Sequence, residues 1–345
     1  MRPPRPAFRA RALGSLLAAL AAVVVLGNPA LASTPSPPAP GPGSTMRSAT
    51  VDPRAGRAAK ERLDDRRNRV PGNVSAWWVD PATHQTVVAV VGPATRDARA
   101  FVADQDPTAV RLQPMSAPVR PLDGPVGERR RPGVRRQQRA VAATGAGAPG
   151  APATPLVGGT AITTTGTRCS DGFSARHDTT TYLLTAGHCT AEGATWNGPD
   201  RRRIGSVVRT DYPGADYGIV QVTDTVAWRG SGQVRGGPTV TGATPAAVGS
   251  QVCRSGSTSG YHCGLVQATD VTVNYGGSTV ITGLTQTAVC ADPGDSGGPF
   301  VTPDSAQAQG TLSGGSGDCV LGGTTYFQPL GPVLHAMGLT LVMGD

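Results

Sequence analysis

From Val157 onward, the sequence alternates short runs of Val, Ile and Thr with glycine-rich turns. Examples of these runs are residues 182–185, 218–222, 272–275 and 279–281. Runs this short, separated by closely spaced turns, are typical of strands in an all-β barrel or sandwich. Near the end of the chain, residues 332–337 suggest one short helix. The pattern predicts an all-β domain over residues 156–345.

All six cysteines lie in this same part of the chain: Cys169, Cys189, Cys253, Cys263, Cys290 and Cys319. An even number of cysteines confined to one part of an exported chain indicates a disulfide framework, and six cysteines allow 15 pairings. The alternative is a metal site, which is disfavoured because the sequence has no C-x-x-C pair. We therefore expect disulfides and no metal.

The N-terminus has the features of an export signal. Four arginines within the first 11 residues precede an apolar run, residues 16–26, and then Ala30-Leu31-Ala32. A basic start, an apolar stretch and an A-x-A site predict a signal peptide over residues 1–32. The apolar run is shorter than the roughly 20 residues that a membrane span needs. We expect a secreted protein without stable membrane association.

Between the signal and the β-rich part, the sequence predicts a pro-region over residues 33–155. Two strands (76–80 and 86–91), a helix (94–103) and a further strand (109–112) form a small α+β unit of about residues 70–122. The charged stretch 54–69 could be a short solvated helix. Residues 123–155 are rich in Pro, Gly and Arg and are expected to be a flexible linker.

The net charge of +8 does not indicate a nucleic-acid partner for the β-rich part. Residues 156–345 carry 9 Arg and 13 Asp or Glu, a net charge of −4, so the basic excess lies entirely before them. Its most prominent part is the tract 129–139. An arm that binds nucleic acid is one interpretation, but a tract without aromatics between flexible residues favours an exposed linker that is open to proteolysis.

Two motifs indicate a catalytic site. Residues 184–189 read Leu-Thr-Ala-Gly-His-Cys, and residues 292–299 read Asp-Pro-Gly-Asp-Ser-Gly-Gly-Pro. The glycines of the second motif allow a tight turn that exposes Ser296 Oγ while successive N–H groups point into one concavity. An aspartate, Asp216, lies between the two motifs at the start of a strand-like run. The order His, Asp, Ser differs from that of subtilisin-like and α/β-hydrolase enzymes.

With these motifs, residues 157–345 closely resemble the chymotrypsin-like bacterial peptidases of the streptogrisin and α-lytic protease group. The resemblance implies two six-stranded antiparallel β-barrels, preceded by a small α+β pro-domain. It further implies that Ser296 is the nucleophile, His188 the general base and Asp216 the residue that orients the imidazole. The N–H groups of Gly294 and Ser296 would form the oxyanion hole. No metal or organic cofactor is needed.

The same resemblance implies the roles of further residues. Cysteines would pair sequentially, and a bidentate ion pair of Arg254 with Asp295 would hold the nucleophile loop. The region 77–112 resembles the family's pro-region, which assists folding and inhibits the enzyme. The expected partners are therefore polypeptide substrates and the protein's own pro-region, and we expect a monomer.

The expected specificity pocket lies between Pro293 and the segment Ser313, Gly314 and Gly315. Residues 311–329 contain no Arg, Lys or His, and two glycines leave the pocket open, which predicts cleavage after large apolar residues. Asp318 argues for a basic residue instead, if its carboxylate lies at the rim. The alternative function is a catalytically inactive homologue that acts as a secreted binding module, although the triad residues are all present.

Overall fold

A computed structural model describes residues 52–126 and 152–344 of the 345-residue chain. The signal peptide expected over residues 1–32, the stretch 33–51 and the basic tract 129–139 lie outside the described residues. In the described part of the chain, no helix is long and apolar enough to cross a membrane.

The N-terminal part of the described chain is an α+β unit. Helix α1 spans Pro53–Asp65, and its first turn is capped by Asp52, whose side chain accepts a hydrogen bond from Arg54 N. A 3₁₀ turn follows at Arg67–Arg69. The remaining elements are β1 (Val74–Val79), β2 (Thr86–Val91), α2 (Arg96–Val102) and β3 (Val110–Met115).

Helix α1 was expected to be solvated, and this expectation was wrong. Its residues Ala59, Lys60 and Leu63 are buried against β1 and β2. The sequence suggested otherwise because most of the helix is charged, and its few apolar residues become a packing face only when the sheet is present. The ordered unit therefore begins at Pro53 rather than near residue 70.

Three short strands follow the α+β unit: β4 (Arg120–Pro121), β5 (Gly124–Pro125) and β6 (Thr154–Pro155). Each pairs with the β-rich part of the chain. The first two lie at the end of the expected pro-domain and the start of the expected linker.

The first barrel is built from β7 to β13. These strands are β7 (Ala161–Thr163), β8 (Thr167–Ser170), β9 (Phe173–His177), β10 (Thr180–Thr185), β11 (Thr195–Asn197), β12 (Arg203–Asp211) and β13 (Tyr217–Val222). Only two residues separate β8 from β9. Counted as one bent strand, they pair with β7 on one side and β10 on the other and close a ring of six. Helix α3 (Gly187–Ala191) follows β10.

The second barrel is a closed ring of six strands. After β14 (Trp228–Arg229) come β15 (Gln251–Gly256), β16 (Gly260–Gly276), β17 (Thr279–Thr287), β18 (Pro299–Val301), β19 (Ala308–Asp318) and β20 (Gly322–Pro329). The order β15-β18-β19-β20-β17-β16 returns to β15 through antiparallel pairing of β15 with β16. Helix α4 (Leu330–Met337) and β21 (Thr340–Leu341) end the described chain. The predicted fold of two six-stranded barrels is confirmed.

Each barrel has its own apolar core. Leu183, Trp196 and Val220 are fully buried in the first, and Val252, Phe300 and Leu312 in the second. Strand β1 extends the second barrel's sheet, because it pairs antiparallel with β16. The α+β unit is thus joined to the barrel by backbone hydrogen bonds as well as by side chains.

Candidate active site

The three residues expected to form a catalytic triad come from both barrels. His188 lies in α3, directly after β10, and Asp216 precedes β13, which pairs with β10. Ser296 lies in the loop between β17 and β18 of the second barrel. Because β10 and β13 are neighbours, the histidine and the aspartate are held against each other by the sheet itself.

Asp216 is fully buried and its carboxylate is surrounded by donors. The His188 backbone N–H donates to Oδ1 at 2.9 Å, and the ring Nδ1 lies 2.9 Å from Oδ2. Ser313 Oγ also donates to Oδ2, and Tyr275 Oη lies 2.7 Å from Ser313 Oγ. A proton on Nδ1 is therefore favoured, which leaves Nε2 free to accept one.

The surroundings of His188 favour its protonated form. Burial by itself would lower its pKa, but the charge of Asp216 and the hydrogen bond to it outweigh burial and leave the pKa raised. The carboxylates of Asp123 and Glu192 act in the same direction. A histidine that is stabilised in its charged form can hold the proton of a nucleophile during a reaction.

The loop that carries Ser296 turns its backbone N–H groups toward one point. Gly294 has φ +98°, a conformation that favours glycine. Its N–H donates to the carbonyl oxygen of Leu122 at 2.5 Å, and the N–H of Ser296 donates to the same oxygen at 3.3 Å. The two residues expected to form an oxyanion hole thus bind a carbonyl from the N-terminal part of the chain.

Ser296 is fully buried beneath this segment. Its Oγ accepts a hydrogen bond from Leu122 N at 3.0 Å. Among the described residues, no hydrogen bond joins Oγ to His188 Nε2, whose contact in this structure is with Cys189 Sγ at 3.7 Å. Such catalytic hydrogen bonds are often loose before the reaction begins.

The segment 119–125 crosses from one barrel to the other. On one side, β4 pairs antiparallel with β19, matching Arg120 with Gly315 and Pro121 with Gly314. On the other side, β5 pairs antiparallel with β8, matching Gly124 with Arg168. Leu122 and Asp123 lie between these two pairings, directly beside Ser296. This contact could not be predicted from the sequence, because nothing local in the segment encodes a register against strands that lie further along the chain.

Two apolar side chains of this segment are buried. Leu122 is 2% exposed and packs in the core cluster of the second barrel, and Val119 is also 2% exposed in a cluster with Tyr275. Gly315 lies beside the Leu122 side chain. A Cβ added at Gly315 would lie 3.3 Å from Leu122 Cδ1. The pocket expected between residues 293 and 315 therefore holds a leucine side chain.

The other residues of the expected pocket have structural contacts of their own. Ser313 Oγ donates a hydrogen bond to Asp216, and a Cβ at Gly314 would clash with the Arg120 carbonyl oxygen. The Pro293 carbonyl accepts a hydrogen bond from Thr258 Oγ1 at 2.7 Å. Asp318 accepts from the N–H groups of the hairpin turn at Val320 and Leu321, so its carboxylate caps that turn.

Arg254 and Asp295 are both fully buried and lie in contact, with Arg254 Nη1 3.3 Å from Asp295 Oδ2. The prediction of a bidentate ion pair was wrong. The other two guanidinium nitrogens bind Cys290 O and Ser259 Oγ instead. Within the described part of the chain, Arg254 Nη1 makes no hydrogen bond, and Asp295 accepts its hydrogen bonds from Asp292 N, Thr258 N, Ser259 N and Ser259 Oγ.

Three disulfides are present, and they join the cysteines in sequential order: Cys169–Cys189, Cys253–Cys263 and Cys290–Cys319. The first fixes the residue next to His188, and the third closes the loop before Ser296. Two groups of side chains within the described residues have metal-ligand types in proximity, around His188 and around His262. In both groups the cysteine sulfurs belong to disulfides, so neither group offers thiolates to a metal.

Two residues that support this site were not anticipated. Gln328 Oε1 accepts the backbone N–H of Asp216 at 3.0 Å, and Tyr275 supports Asp216 through Ser313. Both lie on strands of the second barrel, so they reach a residue of the first barrel only after the two barrels dock. Sequence patterns within either strand do not carry that information.

Comparison with known proteins identifies two families along the chain. A family model described as Trypsin matches residues 156–336, and one described as Alpha-lytic protease prodomain matches residues 57–106. Streptogrisin-C of Streptomyces griseus is 39% identical over 280 residues, which are 80% of this chain and 53% of that protein. Serine protease 1 of Streptomyces fradiae is 33% identical over 305 residues, 86% of this chain and 76% of that protein.

The chain spans about half the length of Streptogrisin-C and of Streptogrisin-D, to which it is 46% identical over 189 residues. Among solved structures, the Nocardiopsis protease NAPase is 41% identical with a TM-score of 0.50, covering 55% of this chain and 100% of that one. A structure described as a glutamic acid specific serine protease is 36% identical with a TM-score of 0.50, covering 54% and 100%.

Proposed function

Because this chain belongs to the trypsin family, and to the branch of it that carries the α-lytic protease prodomain, we propose that it is a secreted serine endopeptidase. It hydrolyses peptide bonds of polypeptide substrates through an acyl-enzyme. Ser296 is the nucleophile, and His188 and Asp216 complete the triad. The enzyme is made with a pro-region that occupies its cleft.

In the first half of the reaction, Ser296 Oγ attacks the carbonyl carbon of the scissile bond and His188 Nε2 takes the hydroxyl proton. The buried carboxylate of Asp216 stabilises the imidazolium that forms and keeps Nδ1 protonated. The negative charge that develops on the carbonyl oxygen is bound by the N–H groups of Gly294 and Ser296. Each such donor contributes about 3 to 4 kcal/mol to transition-state binding.

The C–N bond then breaks as His188 returns the proton to the leaving amine. The acyl-enzyme is an ester of Ser296. A water molecule attacks it, gives a proton to His188, and releases the acid product and the free serine. No step uses a metal, and each group named here is supplied by the chain or by the solvent.

One observation carries this proposal. A peptide carbonyl, that of Leu122, already lies between the N–H groups of Gly294 and Ser296, with Ser296 Oγ 3.0 Å from the amide nitrogen of the same residue. A catalytically inactive binding module needs neither two N–H groups that converge on one carbonyl oxygen nor a buried His–Asp pair beside them. The geometry therefore favours an enzyme over the module.

The test is labelling and turnover of the secreted protein. A serine-reactive phosphonate is expected to label wild-type protein at Ser296, and Ser296→Ala is expected to lower amide hydrolysis by several orders of magnitude without unfolding the chain. Ser305→Ala, at an exposed serine, is the matched control and should react like wild type. Near wild-type turnover by Ser296→Ala would overturn the proposal.

We also propose that the enzyme cleaves after large apolar residues. The support is the buried Leu122 side chain beside Gly315, the absence of Arg, Lys and His from residues 311–329, and the use of Asp318 in a hairpin turn. The buried Val119, three residues earlier, adds an apolar requirement at the fourth position before the cut. A peptide library should show Leu, Met, Phe or Tyr preferred at the first position. Faster cleavage after Arg or Glu would refute this specificity.

The pro-region inhibits by two sets of contacts. Its segment 119–125 occupies both sides of the catalytic serine, and its strand β1 pairs with β16 of the second barrel. Lys60 of α1 adds a bridge to Asp270 of β16 at 3.1 Å. Because Arg254 and Asp295 already contact each other in the uncut chain, the nucleophile loop needs no new N-terminus to take this shape.

A further inference from the structure

The segment 119–125 fills the cleft in the way that a substrate would. It extends to both sides of the nucleophile, Ser296. Residues before Leu122 add a strand to β19 and residues after it add a strand to β8. A serine protease needs an extended peptide with its carbonyl oxygen in the oxyanion hole and its flanking residues fixed on both sides. The bond that meets these conditions here is the one between Leu122 and Asp123.

We propose that the enzyme first cuts its own chain between Leu122 and Asp123, about 33 residues before the start expected for the protease domain. The inference rests on the proposed function, and it adds the location of the first cut. Residues 123–155 then remain attached to the protease as an N-terminal arm. The released carboxylate of Leu122 stays in the cleft as a product.

The residues around this bond fit cleavage at this position. Leu122 fills the apolar pocket, and the charge of Asp123 is among the causes that raise the pKa of His188, after the charge of Asp216 and the hydrogen bond to it. At Gly124, a Cβ would lie 3.0 Å from Gly294 N and 3.2 Å from Gly294 Cα. Such a contact is tight, so a glycine at this position lets the backbone approach the nucleophile loop closely.

The bond at the expected start of the protease domain, Pro155–Leu156, is held in a way that opposes cleavage. Thr154 N donates to Ala227 O and Leu156 N donates to Arg229 O, which places the bond within a parallel strand pair. Leu156 is 3% exposed in the first barrel's core. Cutting there would require the chain to leave this pairing and to pull Leu156 out of the core.

The chemistry of the cut balances without any further reactant than water. Ser296 Oγ forms a bond to the Leu122 carbonyl carbon, and its proton passes through His188 to the nitrogen of Asp123 as the C–N bond breaks. Asp123 becomes an N-terminal amine. Water then hydrolyses the Leu122 ester, and the products are a chain ending at Leu122 and one beginning at Asp123.

The experiment follows the full-length precursor during refolding, with samples quenched at intervals for intact mass and N-terminal sequencing. The first new N-terminus is expected to be Asp123. Its rate of appearance should be unchanged over a 100-fold range of protein concentration, because the bond lies in the chain's own site. An earlier new N-terminus at any other position, or a rate proportional to concentration, would overturn the inference.

Substitutions at Leu122 test whether the side chain before the bond determines the rate of this cut. Leu122→Asp should slow this cut on the order of 100-fold or more, since the pocket is apolar, while Leu122→Met should retain it. Val126→Asp, at an exposed position four residues further along, is the matched control and should cut at the wild-type rate. Equal rates for the two aspartate variants would contradict the proposal.

Two further measurements distinguish failure of this inference from failure of the proposed function. A synthetic peptide of residues 115–128 should be cut by the active protease between Leu122 and Asp123, whether or not Leu122→Asp folds. Phosphonate labelling of Ser296 is scored in the same samples. Labelled protein that cuts elsewhere first refutes this inference alone, whereas protein that is neither labelled nor active refutes the proposed function as well.

Discussion

At the scale of single residues, three buried carboxylates differ in how their charge is compensated. Asp216 accepts hydrogen bonds from His188 and Ser313, and Asp295 contacts Arg254. Asp171 is 1% exposed, and neither of its carboxylate oxygens has a hydrogen-bond partner among the described residues. Burial therefore raises the pKa of Asp171 to about 7.

Asp171 is expected to make stability fall as the pH rises. Between about pH 4 and pH 7, the unfolded chain ionises this carboxyl while the folded chain keeps it protonated, so the unfolded state is stabilised relative to the folded state. The loss amounts to a few kcal/mol by pH 7 and then levels off. Asp171→Asn should remove this slope from the free energy of unfolding, measured by urea denaturation from pH 4 to 8 in the Ser296→Ala background.

The control is Asp304→Asn, which changes an exposed carboxylate to the same amide. This variant should keep the wild-type dependence on pH. A pH profile for Asp171→Asn that matches wild type would show that the Asp171 side chain reaches water or a partner in solution.

Arg254 is expected to stabilise the nucleophile loop even though its contact with Asp295 is not bidentate. Arg254→Met leaves a buried carboxylate without its cation, a change that costs about 3 kcal/mol. We expect the lower end of the usual range because Asp295 keeps its hydrogen bonds from backbone N–H groups and Ser259. Urea unfolding measures the cost, and the rate of peptide hydrolysis should fall with it.

Arg209→Met is the matched control for this loss. Arg209 is half exposed and pairs with Asp211 at 3.0 Å in contact with solvent, so its removal should cost much less stability than removal of the buried Arg254. Similar losses for Arg209→Met and Arg254→Met would show that burial of the Arg254–Asp295 pair has no special effect.

At the scale of elements, the barrels could be predicted because short strand and turn patterns encode them, and the proposed triad rests on motifs that are equally local. The histidine lies at the end of an apolar strand and Ser296 in a glycine-rich turn, and both patterns are local. The burial of one face of helix α1 and the position of Leu122 beside Ser296 were not predicted. Each depends on a partner element far along the chain, and neither carries a local signal for where its buried face will pack.

Helix α1 leads to a prediction about inhibition. Lys60 is 4% exposed and bridges Asp64 at 2.8 Å and Asp270 of the second barrel at 3.1 Å. Lys60→Met removes the cation between these two carboxylates. A separate pro-segment, residues 52–122, should then inhibit the active protease with an inhibition constant raised roughly 10-fold, since Asp270 is exposed and partly screened.

The comparison variant for inhibition is Arg57→Met on the same helix, where the side chain is exposed. It should inhibit like the wild-type segment. Circular dichroism of each segment checks that its helix content is unchanged. Equal inhibition by the Lys60 and Arg57 variants would show that the Lys60–Asp270 bridge does not contribute to binding of the α+β unit.

At the scale of the whole molecule, the α+β unit and the second barrel share one sheet. Strand β1 pairs with β16, which is 17 residues long, and β16 pairs with both β15 and β17. Folding such a barrel requires many contacts between residues distant in sequence, which makes folding slow. A preformed strand β1 that docks on β16 offers this strand a partner before the barrel has closed.

We therefore expect the pro-segment to speed folding of the protease. Residues 156–345 with their disulfides intact, diluted from denaturant, should recover peptide-hydrolysing activity faster when residues 52–122 are supplied separately, once the bound segment has been removed by proteolysis. The Lys60→Met segment should need a higher concentration for the same recovery, because its docking on β16 is weaker. Equal recovery with and without the wild-type segment would show that the barrels fold unaided and that the shared sheet serves inhibition alone.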